Sequence, residues 1–316
     1  MSEVVEGRLE RIKREKRERL LEQFVDRSAE MAVFQEVLDG DDLPVMVVTA
    51  GTGMGKSALL MRMVHECALR HLPKAELEFT SVDVLDYAAT LRRLRDTLGV
   101  DPFLAFTDLV NYYYSDSDYQ PKLTINVNLQ GGSIQVAAGA QITGCTVGEI
   151  AGIVLRDNNF TIPRSDITVP DEVRRERLTQ RFLEGLATLS LKDKVVLFFN
   201  ATEKMSEITY QWLWGQLLRP VIDGALPNVR GVLLGQRPVP GRSELGDRAQ
   251  LVASAELTPL GVDDIDAFIA KRAAGTAGPS AETRRELAKM LALVTRGRPS
   301  DVAGWVEQYL AGRGTA

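Results

Sequence analysis

The sequence predicts an α/β protein: a parallel sheet flanked by helices, interrupted by a β-rich insertion and followed by a small C-terminal helical domain. Three observations carry that prediction. The apolar run Val45–Val48 breaks into a glycine-rich stretch and then a helix-compatible segment holding Leu59, Leu60, Met63 and Val64. The runs Lys194–Asn200 and Val229–Leu234 have the unbroken hydrophobicity of strands buried on both faces of a parallel sheet. Amphipathic stretches of helical length separate such runs, as βαβ units require.

Composition bounds the class. With 316 residues, 45% of them hydrophobic and 26% charged, the chain is long enough for a sizeable core and reads as an ordinary globular protein. A net charge of −5 argues against a general nucleic-acid-binding surface. Cys67 sits in the helical segment after the glycine-rich stretch and Cys145 in a β-like one, so no disulfide is expected and a reducing cytoplasm fits. The charged N-terminus is unlike a signal peptide, and no apolar run reaches the roughly 20 residues of a membrane span. His65 and His71 lack cysteine or carboxylate company at ligand spacing, which leaves no metal cluster to propose.

Taken in order, residues 1–22 alternate Arg/Lys with Glu at helical spacing around a sparse apolar stripe, Leu9, Ile12, Leu20 and Leu21. This is a charged helix, either solvated or docked on another subunit. An amphipathic helix follows over Ser28–Leu38, and the turn Asp39–Pro44 delivers the chain to the strand Val45–Val48. After the loop helix Ser57–Leu69 come a strand over Glu76–Val82 and a helix over Tyr87–Leu98, ended by Gly99. Asp83 falls at that strand's end, a place for a helix cap or a site residue.

Residues 104–168 break the pattern. From Tyr112 onward, alternation such as Leu123-Thr-Ile-Asn-Val-Asn-Leu129 and glycine punctuation read as short strands and hairpins, hence a β-rich insertion. Long insertions in compact domains tend to be functional, and exposed strands invite pairing, so self-assembly or partner binding is the expectation here. Helices are then predicted over Glu172–Leu189 and Ser206–Leu218, the second carrying Trp212 and Trp214 on different faces, one toward the core and one toward an interface. Leu251–Leu257 is a last strand; Asp263–Lys271, Ser280–Thr295 and a segment from Pro299 through Leu310 are helices. The predicted domains are residues 23–255 and a helical lid over 256–316.

The chemistry concentrates in Ala50-Gly51-Thr52-Gly53-Met54-Gly55-Lys56-Ser57-Ala58. Between a strand and a helix, this matches the phosphate-loop pattern G-x-x-x-x-G-K-[ST], with Ala50 in place of the first glycine. Gly51, Gly53 and Gly55 let the backbone take conformations closed to other residues and approach phosphate oxygens. Successive N–H groups and the positive end of the helix form an anion site. Lys56 supplies a charge to the terminal phosphates, and the Ser57 hydroxyl is a ligand for Mg²⁺.

Ahead of the loop, Phe24-Val25-x-Arg27-x-x-Glu30 resembles the corresponding segment of STAND-type signal-transduction ATPases, relatives of AAA+ and NACHT proteins. Gly297-Arg298-Pro299 resembles the Gly-x-Pro turn of their lid. The resemblance covers residues 24–104 and 168–310. It implies that Phe24 and Val25 flank an adenine base, with Arg27 close by and Pro299 against the base, and that Arg237, at the end of the strand Val229–Leu234, senses the terminal phosphate. At the end of the strand Lys194–Asn200 the family carries an aspartate that holds the Mg²⁺ shell. This chain has Asn200 there, and Glu203 where a later acid falls.

An amide can bond a metal-bound water but adds no negative charge and accepts no proton. The sequence therefore predicts Mg-ATP binding with slow or absent hydrolysis: a regulatory switch that changes conformation or assembles on binding and signals through a separate effector or sensor protein. No winged-helix module or repeat array is legible after the lid. Homo-oligomerisation through the N-terminal helix or the 104–168 insertion is the other partner expectation. The alternative is a catalytically dead scaffold subunit; an active nucleic-acid or protein remodeller is disfavoured by Asn200 and the acidic charge.

Overall fold

In the computed structural model, five parallel strands form one sheet in the order β2-β3-β4-β1-β5: β1 (Val45–Thr49), β2 (Lys74–Glu78), β3 (Val195–Asn200), β4 (Val229–Gly235) and β5 (Val252–Glu256). The structure describes residues 21, 24, 27–80, 86–114, 169–241, 245–274 and 278–313. Strand β1 lies between β4 and β5, with Val45 level with Gly231 on one side and Val252 on the other. The chain must therefore leave β1 over the sheet, and its loop occupies the carboxyl edge at the point where strand order reverses, the place where open α/β sheets bind ligands.

The strands read as continuous apolar runs because both faces are covered. Helices α1 (Ser28–Asp39) and α2 (Lys56–Leu69) pack Phe34, Val37, Leu38, Leu59, Met63 and Val64 against Met46, Val48, Val196, Phe198, Val232 and Leu234. Cys67 is buried in the same layer, and burial pushes its thiol up to about 12, which makes it an inert packing residue. Helix α3 (Tyr87–Leu98) is capped by the Asp86 carboxylate, which accepts from the Ala89 N–H at 2.7 Å. After β3, α6 (Glu207–Trp212) runs without a break into a π-helical stretch, Leu213–Leu218, and a last α turn, α7 (Arg219–Ile222). Trp212 and Trp214 are both more than nine-tenths buried, so the expected division into one core and one surface tryptophan does not hold.

Two compact units divide the chain, Met1–Gly99 with Leu186–Ala316, and Val100–Gly185. In the second, α4 (Leu104–Tyr114) buries Phe106 and Val110, and Phe103 and Phe106 meet Phe182 of α5 (Asp171–Ser190) at ring-centroid distances of 4.8 and 5.6 Å. The first part of the expected β-rich insertion is thus helical. Its apolar residues recur at helical spacing before the two-residue alternation begins, and residues 115–168 lie outside the described residues. So do Asp83 and, apart from Leu21, the charged segment 1–22. Strand β2 begins at Lys74, earlier than its apolar content indicated, because it is an edge strand registered on β3 with Lys74 level with Val196.

The lid has its own core. Helices α8 (Val262–Arg272), α9 (Ala281–Thr295) and α10 (Pro299–Arg313) bury Ile265, Ile269, Ala288, Leu291, Val302 and Val306 together. Gly297, at φ 67°, makes the turn between α9 and α10; a Cβ there would overlap the Leu260 carbonyl and lie 2.9 Å from Pro259 Cβ.

At the opposite edge of the sheet from the loop, the Arg230 side chain is 1% exposed and donates to the carbonyls of Val37 at 2.6 Å, Gly40 at 2.7 Å and Pro227 at 2.5 Å. Lys194 adds a bond to the Leu38 carbonyl at 2.8 Å. These cations satisfy the last carbonyls of α1, which have no partner within their own helix. Arg230→Leu should lower the unfolding free energy by about 2–4 kcal/mol, because it leaves several buried carbonyls unpaired. Arg230→Lys, lacking the fork, should recover only part of it, as read by chemical denaturation.

Candidate nucleotide-binding site

The turn between β1 and α2 has the backbone that its glycines anticipate. Gly53 and Gly55 stand at φ 80° and 90°, and helix α2 starts at Lys56. The first helical bond runs from the Leu59 N–H to the Gly55 carbonyl at 3.0 Å, so the N–H groups just before Leu59, including those of Lys56, Ser57 and Ala58, precede the helical ladder and are available to an anion. Lys56 Nζ curls back over the loop and donates to the carbonyls of Ala50 at 2.6 Å and Gly51 at 2.9 Å. Burial lowers the Lys56 pKa, and the nearby Glu203 carboxylate opposes that shift. Ser57 is exposed on the first turn of α2.

On the β4 side, Asn200 ends β3 level with Leu234 and is 9% exposed. Ala201 then takes a left-handed conformation at φ 57°, turning the chain into a short 3-10 segment, Thr202–Lys204. Glu203 Oε2 accepts from the Gln236 N–H at 3.1 Å, and Gln236 Nε2 donates to Thr52 Oγ1 at 3.4 Å. Gly235 makes this possible: a Cβ there would overlap the Thr202 hydroxyl and lie 2.9 Å from Glu203 Oε2. Arg237 is engaged elsewhere, with Glu207 Oε2 at 3.2 Å, the Met205 carbonyl at 2.9 Å, and the Tyr210 ring 4.7 Å beneath its guanidinium. The residue of this strand end that touches the loop is Gln236. Register held the clue, since Gly235 is level with Thr49 and Gln236 therefore follows beside Ala50.

On the other side, Arg27 is 8% exposed, with a backbone at φ 142°. Its guanidinium donates to the Thr258 carbonyl at 2.9 Å, the Met54 carbonyl at 3.3 Å and Glu30 Oε1 at 3.3 Å. It thus joins the N-terminal segment, the loop and the start of the lid. Phe24 packs partly buried on the core, and its carbonyl accepts from Lys271 Nζ of α8 at 2.6 Å. Val25 lies outside the described residues. Pro299 begins α10 beside the loop, its Cγ 3.8 Å from where a Cβ on Gly55 would stand, and the Ser300 N–H donates to the Gly53 carbonyl at 3.1 Å.

Between the loop and the lid lies a cavity of about 470 Å³, lined by Ala50–Met54, by Glu256, Leu257 and Pro259 after β5, and by Arg298 and Ser300. Sequence reasoning did not single out Gln236, Arg298 or Glu256. Arg298 is adjacent to Pro299 in the turn already identified, and its charge beside the loop suits a phosphate. Among the described residues no group of His, Cys, Asp or Glu could hold a metal unaided. The donors that fit Mg²⁺ are the Ser57 hydroxyl and the Asn200 amide, hard oxygen ligands of the small number that suffices when phosphates supply the rest.

The parallel sheet, the flanking helices and the glycine loop at the carboxyl end of β1 make this a P-loop NTPase fold. Two solved structures are similar to it. Cdc6p from Pyrobaculum aerophilum gives a TM-score of 0.41 at 11% identity, over 84% of this chain and 55% of that one. The Drosophila ORC bound to DNA gives 0.45 at 12% identity, over 91% and 60%. The chain thus spans less than two thirds of the length of either. No protein-family model and no curated protein matches the sequence.

The loop's glycines should differ in tolerance. Gly53→Ala forces φ 80° on alanine and puts a Cβ 2.5 Å from Ser300 Oγ, whereas a Cβ on Gly51 meets nothing nearer than Met54 Cγ at 3.9 Å. Gly53→Ala should weaken Mg-ATP binding by about tenfold or more, the strain of a side chain held at positive φ. Gly51→Ala should change it far less, with both measured by titration calorimetry.

Proposed function

We propose that this protein is a Mg-ATP-binding regulatory switch of STAND type. Nucleotide in the loop changes the loop–lid arrangement, and the change is passed to a separate partner protein or to another copy of the chain. The observation that carries the reading is the Arg27 guanidinium, bonded at once to the Met54 carbonyl of the loop and the Thr258 carbonyl at the start of the lid. The Ser300–Gly53 bond is a second direct link. A ligand that moves the loop backbone therefore acts on the lid, and the two states differ in contacts made to that ligand, as a population shift requires. The setting that the family resemblance implies is a bacterial conflict system.

Each residue has a role in this reading. The N–H groups of Gly53–Ala58 and the Lys56 amine hold the phosphates, and Arg298 adds charge from the lid. Ser57 and Asn200 hold Mg²⁺, which on binding neutralises phosphate charge. Glu203 is the acid nearest the loop on the β4 side, tied to the Gln236 N–H at 3.1 Å, and orients water weakly at best without an aspartate at position 200. Asn200 also favours a second reading, in which the chain is a scaffold whose nucleotide is never turned over. Binding-dependent assembly separates the two.

Wild-type protein should bind Mg-ATP and release phosphate negligibly. Lys56→Ala should weaken binding by about tenfold or more, the value of a charged hydrogen bond to phosphate. Asn200→Asp should raise phosphate release above wild type. Light scattering with and without Mg-ATP should show a change in size or shape in wild type and none in Lys56→Ala. Rapid turnover by wild type overturns the silent-switch reading, and nucleotide binding with unchanged hydrodynamics leaves the scaffold.

A further inference from the structure

The loop sits between two different edges of the sheet. Toward β4 and β3 lie the groups that suit a terminal phosphate and its metal: Asn200, Glu203, Gln236 and, over the loop, Lys56. Toward β5 lies the cavity, whose walls beyond the loop are Glu256, the apolar Leu257 and Pro259, and, from the lid, Arg298 and Ser300. If the terminal phosphate points to β3 and β4, the nucleoside extends the other way, into this cavity. Glu256 stands in its wall, at the last position of β5, level with Thr49 of β1. The backbone there is fixed by the Leu257 N–H donating to the Thr49 carbonyl at 3.0 Å. Its side chain makes no hydrogen bond or ion pair with the described residues, and the residue is exposed and lines the cavity.

An unpaired carboxylate beside a phosphate-binding loop repels any phosphate placed against it, so what it accepts must come from the part of the ligand without negative charge. A carboxylate only accepts hydrogen bonds. On a nucleoside the donors are the ribose hydroxyls and an exocyclic amine. We infer that Glu256 is a specificity-determining residue that selects the nucleoside by accepting a hydrogen bond from one of these donors. The inference rests on nucleotide occupying the loop, the reading proposed above.

The test measures the affinities of Mg-ATP, Mg-2′-deoxyATP, Mg-3′-deoxyATP and Mg-ITP for the full chain, for Glu256→Ala and for Glu256→Gln. ITP replaces the amine by an oxygen; each deoxynucleotide removes one hydroxyl. Wild type should bind one of the three analogues about tenfold or more weaker than ATP, the worth of a hydrogen bond to a charged group. In Glu256→Ala that difference should vanish, and Glu256→Gln, which keeps an acceptor oxygen but loses the charge, should retain part of it. Loss at a deoxynucleotide assigns the ribose, and loss at ITP assigns the amine. Equal affinity of wild type for all four overturns the inference while leaving nucleotide binding intact. So does a uniform gain in affinity for all four in Glu256→Ala, which would make the carboxylate merely repulsive. No binding of any of them to wild type overturns the underlying reading as well.

Discussion

A buried guanidinium, that of Arg27, sets the relation among the parts of this molecule that face the loop. A cation at 8% exposure is tolerable only with acceptors around it, and here they come from three places in the sequence: Glu30 on its own helix, Met54 in the phosphate loop, and Thr258 where the lid begins. The backbone at Arg27 is held at φ 142°, a conformation that costs of order 1–3 kcal/mol for a residue with a side chain and persists only where its surroundings fix it. At its far end, α1 is tied by Arg230 and Lys194 to the base of the sheet. The guanidinium is presented from a helix anchored at both ends. Its two carbonyl partners belong to the segments that would have to move.

The second constraint is the split of charge about β1. Its neighbour β4 brings Gln236 and, through the space left by Gly235, Glu203 to one flank of the loop. Its neighbour β5 brings Glu256 and the chain leading into the lid to the other. In the proposed reading, strand order separates the flank that takes the terminal phosphate and metal from the one that takes the nucleoside. On the first flank the charge is incomplete. Asn200 occupies the end of β3 with oxygen and nitrogen but no net charge, so Glu203 is the carboxylate near Lys56, and Lys56 feels it. In the proposed reading this leaves binding possible and hydrolysis short of one acid.

Much of this was legible in the sequence for identifiable reasons. Buried parallel strands are hydrophobic on both faces, which made β1, β3 and β4 readable; a phosphate loop has a fixed spelling; and lid helices carry capping residues such as Ser280, whose hydroxyl accepts from the Thr283 N–H. Position 200 was readable because it follows directly from where β3 ends. What escaped was set by register between strands distant in sequence. Gln236 reaches Thr52 because Gly235 is level with Thr49, and Glu256 lines the cavity because β5 adds to the free edge of β1. Arg237 illustrates the same limit, since the resemblance supplied the strand end but the side chain that touches the loop is one residue earlier. The helix Leu104–Tyr114 was missed for another reason. Its apolar spacing is helical, but it abuts a stretch of two-residue alternation that dominated the reading of the whole segment.

Part of the loop's polar set is already bonded within the protein, while the N–H groups of Lys56, Ser57 and Ala58 precede the helical ladder. Lys56 is bonded to the carbonyls of Ala50 and Gly51, and the Gly53 carbonyl accepts from Ser300 of the lid. In the proposed reading, a phosphate that claims the Lys56 amine would exchange those internal bonds for its own, and part of its binding energy would go into rearranging the loop backbone. Met54, one residue past Gly53, is bonded to Arg27. A rigid loop would bind phosphate more tightly and tell the lid nothing. On the switch reading, a loop held by exchangeable bonds to its own lysine, to the lid and to a buried arginine would bind less tightly in proportion to what it transmits, because a ligand can shift an equilibrium only by its differential affinity for the two states.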